Sequence, residues 1–352
     1  MQNKPLISFY KNNSLITSFD YKKISMTSDL SGFLKLIENT DPGKTKILQI
    51  DFEGNAAQAF ILNSYENLNI DNTVTEGKSF FEKIDFTPLI TEIDFTNQIL
   101  KIKQDICRGR FYQVNLTERF KAEITASEEN YLNQNLISEL LKVFKNFNSR
   151  YPAFLPCGDY DIICCSPELF LKKEGDVLTT EPIKGTLLQG DKSSANLVNS
   201  GKENAELSMI VDLLRNDLNS VCSQPVKVTA HRSLMNIGYT THTYSQIQGH
   251  TNLKCSDILP LVLPGGSISG CPKKESLKAI KELEKYPRNF YTGCIGWYEK
   301  GDFELNIAIR SFLKKDQQFT YYTGCGVVYD SDPADEWKEF LTKASKLNLR
   351  GL

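Results

Sequence analysis

Apolar residues recur along this chain at two spacings, one typical of helices and one typical of strands. The clearest helical stripe follows Asp94, where apolar side chains share one face until Gly109, which is placed to end the helix. A last helix is predicted to begin at Asp332-Pro333, with aspartate as its cap and proline in its first position. Further helical stretches are predicted at residues 133–147, 200–214 and 272–286.

Short apolar runs bounded by Gly, Pro, Asn, Asp and Ser predict strands in the rest of the chain. Within residues 1–90 these runs are closely spaced, so short strands and loops are expected there. Further strands are predicted at residues 112–117, 153–155, 161–165, 177–180, 225–230, 239–248, 294–298, 303–311 and 319–322. This order of elements predicts an α+β fold, a single large domain of antiparallel sheets with helices outside them.

The composition narrows the range of partners. A length of 352 residues with 40% hydrophobic positions is enough for a large core. A formal net charge of −2 without long runs of like charge gives no general attraction to nucleic acid or anionic membranes. The N-terminus lacks a signal pattern, and no apolar run approaches the roughly 18 residues that span a bilayer. We therefore expect a cytoplasmic protein without nucleic-acid or membrane partners.

The cysteines and histidines do not predict a metal cage. Nine cysteines, an odd number, are scattered through the chain and are expected to be reduced thiols. There are three histidines and no Cys-x-x-Cys pair, so a zinc site is not expected. Gly324-Cys325-Gly326 resembles a nucleophile between glycines, but its flanks are typical of a strand, which favours a close backbone approach over a catalytic thiol.

Lys184 is the candidate nucleophile. It lies between Ile183 and Gly185, after Pro182, where the chain is predicted to leave a strand for a tight turn. A lysine partly buried at such a place can lose its charge and attack an electrophile. From these residues alone, a solvated lysine on a surface turn is the better interpretation.

Two pairs of glutamates are candidate metal ligands. Glu203 and Glu206, and again Glu336 and Glu339, fall on or beside the apolar stripes of their predicted helices. Unpaired buried carboxylates are costly, and oxygen ligands without histidine or cysteine suit Mg²⁺. The alternatives are a capping box for Glu203 with Ser200, and for the second pair ion pairs with Lys338 or Lys343. Because two helices carry the same pair of glutamates, a metal site is as good an interpretation as the capping box and the ion pairs.

Several segments together resemble the chorismate-utilising enzymes. They occur in the family's order at residues 113–117, 166–168, 182–186, 212–217, 269–273, 309–311 and 330–333. The resemblance covers about residues 90–352, and residues 1–90 are then a shortened, strand-rich N-terminal part. It implies a large α/β sandwich with the active site between two sheets, which agrees with the expected α+β class.

The resemblance also implies a role for individual residues. Glu203, Glu206, Glu336 and Glu339 would form a Mg²⁺ site that holds the ring carboxylate of chorismate. Glu168 would protonate the C4 hydroxyl as it leaves, and His242 would lie near the departing ring substituents. The enolpyruvyl carboxylate and the rest of the substrate would be bound by Gln113, Thr186, Tyr291, Arg310, Gly326 and Lys343. Without the family, His242 would be interpreted as a packed strand histidine.

Two positions distinguish the members of the family. Isochorismate-forming members carry a lysine base where this chain has Gln113, so hydration of chorismate is not expected. Anthranilate synthases usually have alanine where this chain has Lys184, whereas Pro-Ile-Lys-Gly-Thr is similar to aminodeoxychorismate synthase component I. In those members the lysine amine attacks C2 of the ring and ammonia then adds at C4.

The resemblance therefore implies formation of 4-amino-4-deoxychorismate from chorismate and ammonia, for p-aminobenzoate and folate synthesis. No glutaminase segment is recognised, so ammonia would come from solution or from a separate glutamine amidotransferase subunit. Two alternatives stay open, an anthranilate synthase component I and a non-catalytic chorismate-binding protein. The sequence departs from the family at residues 187–190, which lack an arginine, and at Cys271, where alanine is usual.

Overall fold

The computed structural model describes residues 5–12, 14–68, 77–188, 201–238 and 240–349, with the side chains of residues 186–188 and 201–206 outside the description. Within these ranges the helices are α1 Leu30–Asn39, α2 Glu92–Cys107, α3 Ala126–Gln134, α4 Leu136–Asn146, α5 Gly201–Asn219, α6 Cys255–Val262, α7 Lys273–Leu283 and α8 Pro333–Lys343. Single 3₁₀ turns lie at Phe80–Glu82 and Gly266–Ile268. No helix among the described residues is both long enough and apolar enough to cross a membrane.

The strands are β1 Ile7–Lys11, β2 Ser14–Ser18, β3 Tyr21–Ser25, β4 Lys46–Ile50, β5 Ala57–Leu62, β6 Glu66–Leu68, β7 Asp85–Pro88, β8 Gln113–Glu123, β9 Tyr151–Pro156, β10 Asp161–Ser166, β11 Leu169–Glu174, β12 Val177–Glu181, β13 Ile183–Leu188, β14 Lys227–Ile237, β15 Thr240–His250, β16 Gly270–Cys271, β17 Cys294–Glu299, β18 Asp302–Ile307, β19 Ser311–Lys315, β20 Gln318–Val327 and β21 Asn348–Leu349. Most are half-buried or fully buried, which explains their runs of apolar residues.

The strands form two large sheets. The first has the order β21-β7-β8-β20-β19-β10-β9-β1-β2-β6, with β16 added to β8. The second has the order β13-β15-β12-β11-β18-β17-β4-β5-β3, with β14 added to β15. The pairs are antiparallel except for β21, which runs parallel to β7. The strands of residues 7–68 enter both sheets, because β1 pairs with β9 and β4 pairs with β17.

The helices cover the sheets through their apolar faces. The stripe predicted on α2 is confirmed, because Phe95, Ile99 and Ile102 are buried. Phe95 packs against Trp337 and Phe340 of α8, with ring centroids 5.4 and 5.3 Å away. Each buried aromatic side chain of this kind contributes about 1.5–3 kcal/mol. Phe340 also stacks on Phe120 of β8, with centroids 4.7 Å apart, so α8 is packed against the first sheet. This helix carries two of the candidate metal ligands.

The predicted end signals of two helices are confirmed. Gly109 follows α2 with φ of 75°, a conformation that glycine adopts without strain. Asp332 caps α8 by accepting hydrogen bonds from the backbone of Ala334 and Asp335, and Pro333 occupies the first turn. The start of α2 differs from the prediction, because Thr91 caps the helix and Glu92 begins it. The Ser200 cap proposed for α5 lies outside the described residues.

Three other predictions need correction. Residues 1–90 contain a helix, α1, which the strand-and-loop interpretation missed although Asp29 caps it. The helix predicted at residues 133–147 corresponds to α4, and the prediction missed the preceding helix α3, which ends before Asn135, whose φ of −116° is not helical. The strand predicted at residues 303–311 ends at Ile307, because Arg310 adopts a left-handed φ of 50° before β19 begins.

Candidate active site

A cavity of about 430 Å³ lies between the two sheets. That volume is in the usual range for small-molecule sites, about 300–1,000 Å³. Its walls come from both sheets, from the turn Gly266–Ile268 and from α8. Nine of the predicted site residues line it, namely Glu168, Lys184, His242, Tyr291, Arg310, Gly326, Glu336, Glu339 and Lys343.

Lys184 is placed by a strand. The chain bends at Pro182, between β12 and β13, so Lys184 lies in a second strand and not in the tight turn that the sequence predicted. Its backbone pairs with Thr243 of β15, and the Thr243 hydroxyl donates to the Lys184 carbonyl at 2.6 Å. These bonds fix the backbone of Lys184, while its half-buried side chain lines the cavity.

Glu168 is a buried acid in the same cavity. Its side chain is 8% exposed, and its backbone carbonyl accepts a hydrogen bond from Ile307 of β18. Burial raises the pKa of Glu168 to about 7, against the opposing effects of the Lys184 charge, a hydrogen bond from Ser267, and Arg310 and Lys343. Near pH 7 the carboxyl therefore exchanges its proton readily, as a general acid must.

His242 is neutral and held at both ring nitrogens. Nδ1 lies 3.1 Å from the Gly185 carbonyl, which can only accept, so Nδ1 carries the proton. Nε2 lies 2.9 Å from the Thr240 hydroxyl. Burial, with a smaller effect of Arg310, lowers the pKa of His242 to about 4, so the ring is neutral at pH 7. His242 thus supplies a fixed, uncharged polar ring beside the backbone of Lys184 and Gly185.

Arg310 presents its guanidinium to the cavity from a strained backbone. A left-handed φ costs a non-glycine residue about 1–2 kcal/mol. The conformation is held by the Arg310 carbonyl, which accepts from Cys165, and by Nη1, which donates to the Phe147 carbonyl at 3.1 Å. Such strain is concentrated at functional sites. Beside it, the Tyr291 ring stacks on Tyr322 with centroids 5.1 Å apart.

The glycines of β20 provide a close backbone approach, as predicted for Gly324-Cys325-Gly326. A Cβ on Gly326 would lie 2.7 Å from the Gln113 side-chain nitrogen, so Gln113 lies directly behind Gly326. Gln113 is 1% exposed and does not line the cavity, and neither of its side-chain polar atoms has a hydrogen-bond partner among the described residues. Burial raises the pKa of the Cys325 thiol far above its usual value, which opposes a nucleophilic role.

The two glutamates of α8 have different partners, and one of them forms an ion pair with a lysine of the same helix. Glu336 is 2% exposed and accepts from the Ser331 hydroxyl at 2.7 Å. Lys343 lies 2.7 Å from Glu339 and donates to the Gly324 carbonyl at 2.6 Å. This is one of the ion pairs that the sequence offered as an alternative to a metal. Lys343 thus compensates the charge of Glu339, where the resemblance implies Mg²⁺.

The other half of the expected metal site cannot be compared with these ligands. Glu203 and Glu206 lie in α5, but their side chains, like that of Thr186 in β13, are outside the described residues. Among the residues that are described, no three His, Cys, Asp or Glu side chains are grouped to hold a metal. The donors that do line the cavity from α8 are carboxylates, one of them buried, and this donor chemistry fits Mg²⁺.

Comparison with known proteins identifies the family. A family model described as chorismate binding enzyme matches residues 6–348. The chain belongs to this chorismate binding enzyme family. The match begins at residue 6, so it includes the N-terminal strands as well as the segments that carried the resemblance.

The relatives of this chorismate binding enzyme are named as more than one kind of enzyme. Aminodeoxychorismate synthase component 1 of Bacillus subtilis (strain 168) is 37% identical over 270 residues, 74% of this chain and 56% of the relative. Anthranilate synthase component 1 1 of Haloarcula marismortui is 33% identical over 268 residues, 73% of this chain and 53% of the relative. The chain therefore spans about half the length of these relatives.

A solved structure confirms the predicted α+β fold class. The crystal structure of anthranilate synthase component I from Streptococcus pneumoniae TIGR4 is 25% identical to this chorismate binding enzyme. The two match with a TM-score of 0.74, over 97% of this chain and 90% of that one.

Among the lining residues that the sequence did not predict, two act directly on predicted ones. Ser267, in the turn Gly266–Ile268, lowers the pKa of Glu168 against the effect of burial, and Tyr322 of β20 stacks on Tyr291. Strand alternation could have found Tyr322, because it shares a face with Gly324 and Gly326. The segment around Ser267 was interpreted only as a turn that leads into a helix, and its position opposite Glu168 is a tertiary contact that sequence spacing does not contain.

Proposed function

We propose that this chain combines chorismate with ammonia to form 4-amino-4-deoxychorismate, with a covalent intermediate on Lys184. The observation that carries the proposal is the placement of Lys184 and Glu168 in one cavity, close enough for the lysine charge to act on the carboxyl. A nucleophile and an acid are the two groups that the displacement of a ring hydroxyl requires.

The proposed first step forms one bond and breaks one. The Lys184 amine attacks C2 of the ring, the two ring double bonds shift from C1=C2 and C5=C6 to C1=C6 and C4=C5, and the C4 hydroxyl departs as water with the Glu168 proton. The proton that the amine then loses returns to Glu168. A pKa of about 7 for Glu168 supports both halves of this exchange at neutral pH.

In the proposed second step ammonia forms a bond to C4 and the Lys184 amine leaves C2. Glu168 protonates the departing amine and recovers a proton from the new ammonium group. The sum is chorismate plus ammonia giving 4-amino-4-deoxychorismate plus water. Occupation of C2 by the lysine directs ammonia to C4, whereas direct addition at C2 leads toward anthranilate.

Other cavity residues support binding of a dicarboxylate. The guanidinium of Arg310 suits a carboxylate, and Tyr291 and the backbone of Gly326 lie in the same cavity. Glu336 and Glu339, together with Glu203 and Glu206, would hold Mg²⁺, which would neutralise and orient the ring carboxylate. Ammonia would be supplied by solution or by a glutamine amidotransferase subunit, and the product would serve p-aminobenzoate and folate synthesis.

Product identification tests the proposal. The purified chain is incubated with chorismate, Mg²⁺ and ammonium chloride, with and without a coupled lyase. The products are separated by chromatography and identified by mass spectrometry. The expected result is p-aminobenzoate that appears only with the lyase. Fluorescent anthranilate without the lyase would instead identify an anthranilate synthase, the alternative favoured by the relatives of that name. Binding of chorismate without consumption would indicate a non-catalytic protein.

A further inference from the structure

Two sequence segments of the family resemblance, residues 212–217 and 269–273, meet in a buried ion pair that the proposed reaction does not use. Lys273, at the start of α7, donates to both carboxylate oxygens of Asp217 in α5 at 2.8 Å. It also donates to the Val262 carbonyl at the end of α6, at 3.2 Å. Asp217 is 8% exposed and the Lys273 side chain 21%, so the carboxylate is buried and needs the lysine as its counter-charge.

The pair holds the turn Gly266–Ile268. A Cβ on Gly266 would lie 2.7 Å from the Leu213 side chain and 3.2 Å from a carboxylate oxygen of Asp217, so the turn packs directly against both residues. At the other end of the turn, Arg288 donates to the Ile268 carbonyl at 2.7 Å. Both ends of the turn are therefore fixed by charged side chains.

Ser267 lies at the centre of this turn, on the same cavity as the acid. It is 7% exposed and lines the cavity together with Glu168, and a Cβ on Gly265 would lie 3.1 Å from the Phe170 ring, two residues after Glu168. The Ser267 hydroxyl is also one of the groups that lower the pKa of Glu168 against the effect of burial. A donor to a carboxyl favours the ionised form, which opposes the effect of burial on Glu168.

We propose that Asp217 and Lys273 are positioning residues that hold the Ser267 turn against Glu168, so that the Ser267 hydroxyl fixes the carboxyl in the orientation that faces the substrate. The inference rests on the role of Glu168 in the proposed function. Lys184 of β13, Arg310 and Lys343 of α8 are the cations that also act on Glu168, and His242 shares its cavity. All of them are unchanged in the variants below.

The test compares the rate of chorismate consumption against pH in Ser267→Ala, Ser267→Thr, Lys273→Met and Asp217→Asn. A hydrogen bond to a charged group is worth about one pH unit in the pKa of its acceptor. In Ser267→Ala, kcat/KM should therefore begin to fall at a pH about one unit higher. Ser267→Thr should restore the original pH dependence. Lys273→Met and Asp217→Asn should move it in the same direction by a smaller amount. Lys273→Met combined with Ser267→Ala should move it no further than Ser267→Ala alone.

Matched controls lie on the same helices. Lys278 in α7 and Asp212 in α5 are exposed and pair with neighbours one turn away. Lys278→Met and Asp212→Asn should leave the pH profile unchanged. Thermal unfolding of each variant separates a lost fold from a displaced turn, and Asp217→Asn keeps the shape of the side chain if Lys273→Met does not fold.

Infrared spectroscopy measures the pKa of the Glu168 carboxyl without turnover. The carboxyl band of Glu168 is assigned as the one that is lost in Glu168→Gln. Failure to form the proposed product would therefore leave this test intact. The inference is overturned if Ser267→Ala titrates as the unchanged protein does. It is also overturned if Lys273→Met and Asp217→Asn lower the rate equally at every pH and leave the Glu168 titration unmoved.

Discussion

Two sides of the cavity differ in how their charged groups are held. The strand wall, made of Glu168, Lys184 and His242, is half-buried or buried, and each residue is fixed by backbone hydrogen bonds of the second sheet or next to it. On the helix wall, made of Glu336, Glu339 and Lys343, the Glu339 and Lys343 side chains are 49% and 41% exposed. Burial shifts the pKa of Glu168 and of His242 on the strand wall, whereas on the helix wall the charges of Glu339 and Lys343 compensate one another.

The two walls therefore suit different parts of the proposed reaction. Groups taken out of water change their proton affinity and suit proton transfer and nucleophilic attack. On the helix wall, Glu339 and Lys343 keep water and pair with each other, while the buried Glu336 adds a carboxylate oxygen. Such a set suits the binding of a hydrated cation and a carboxylate. Substitutions on the strand wall should therefore act on the rate of the chemical step, and those on the helix wall on the concentration of metal or substrate required.

The largest effect is expected from Lys184→Ala. Removing a covalent nucleophile should lower formation of 4-amino-4-deoxychorismate by about 10³-fold or more, since nothing else occupies C2. Some anthranilate formation can persist, because that route needs no lysine adduct. Lys172→Ala, a partly exposed lysine of β11, is the matched control. Undiminished aminodeoxychorismate turnover in Lys184→Ala would rule out the covalent mechanism.

Glu168→Gln should reduce kcat by about 10²–10⁴-fold at pH 7, because an amide side chain cannot protonate the departing C4 hydroxyl. In the unchanged protein, the pKa of about 7 predicts that kcat/KM is constant below pH 7 and falls about tenfold per unit above it. The sign follows from the role, since only the protonated carboxyl is active. A steady-state pH profile in chorismate measures both effects. Persistence of the same limb in Glu168→Gln would assign it to another group.

Glu336→Gln, on the helix wall, should raise the Mg²⁺ concentration for half-maximal rate by about tenfold or more, with a smaller effect on kcat at saturating metal. A neutral amide is a weaker ligand for a hard divalent cation than a carboxylate. Asp335→Asn, on the exposed side of the same helix, is the control. Treatment with a chelator should abolish turnover in the unchanged protein, and activity that survives it would remove the metal from the proposal.

The smallest effect is expected from Cys325→Ala. The thiol is 2% exposed and its pKa is far above the usual value, so it is not a nucleophile. Activity should change by less than about threefold, while thermal stability falls slightly through lost packing. Iodoacetamide should not inactivate the protein through this residue. Strong inactivation that Cys325→Ala prevents would show that the thiol takes part after all.

The sequence predicted the parts of the site that local chemistry determines. Asp332-Pro333 marked the start of α8, and the strand-like flanks of Cys325 favoured a close backbone approach over a catalytic thiol. The family motifs named nine residues that line one cavity, although their roles stay predictions. Gln113, expected at the substrate, lies behind Gly326 and does not line the cavity.

The misses have a common physical cause. The break after Ile307 depends on the left-handed Arg310, which the fold holds through Cys165 and Phe147. An apolar run alone predicts a continuous strand there. The position of Ser267 on the same cavity as Glu168 likewise depends on helices distant in the sequence. Tertiary contacts of this kind override local propensity and are absent from residue spacing.

The pairing of the N-terminal strands with both sheets has a practical consequence for protein engineering. A shortened version that began near residue 90 would lack β1 and β4 and would uncover one side of β9 and of β17. All six residues of β9 are buried in the intact chain. Open apolar strand edges recruit strands from other molecules, so such a fragment should aggregate when expressed. The family's signature residues thus cannot be excised as a minimal catalyst without first designing new cover for those two edges.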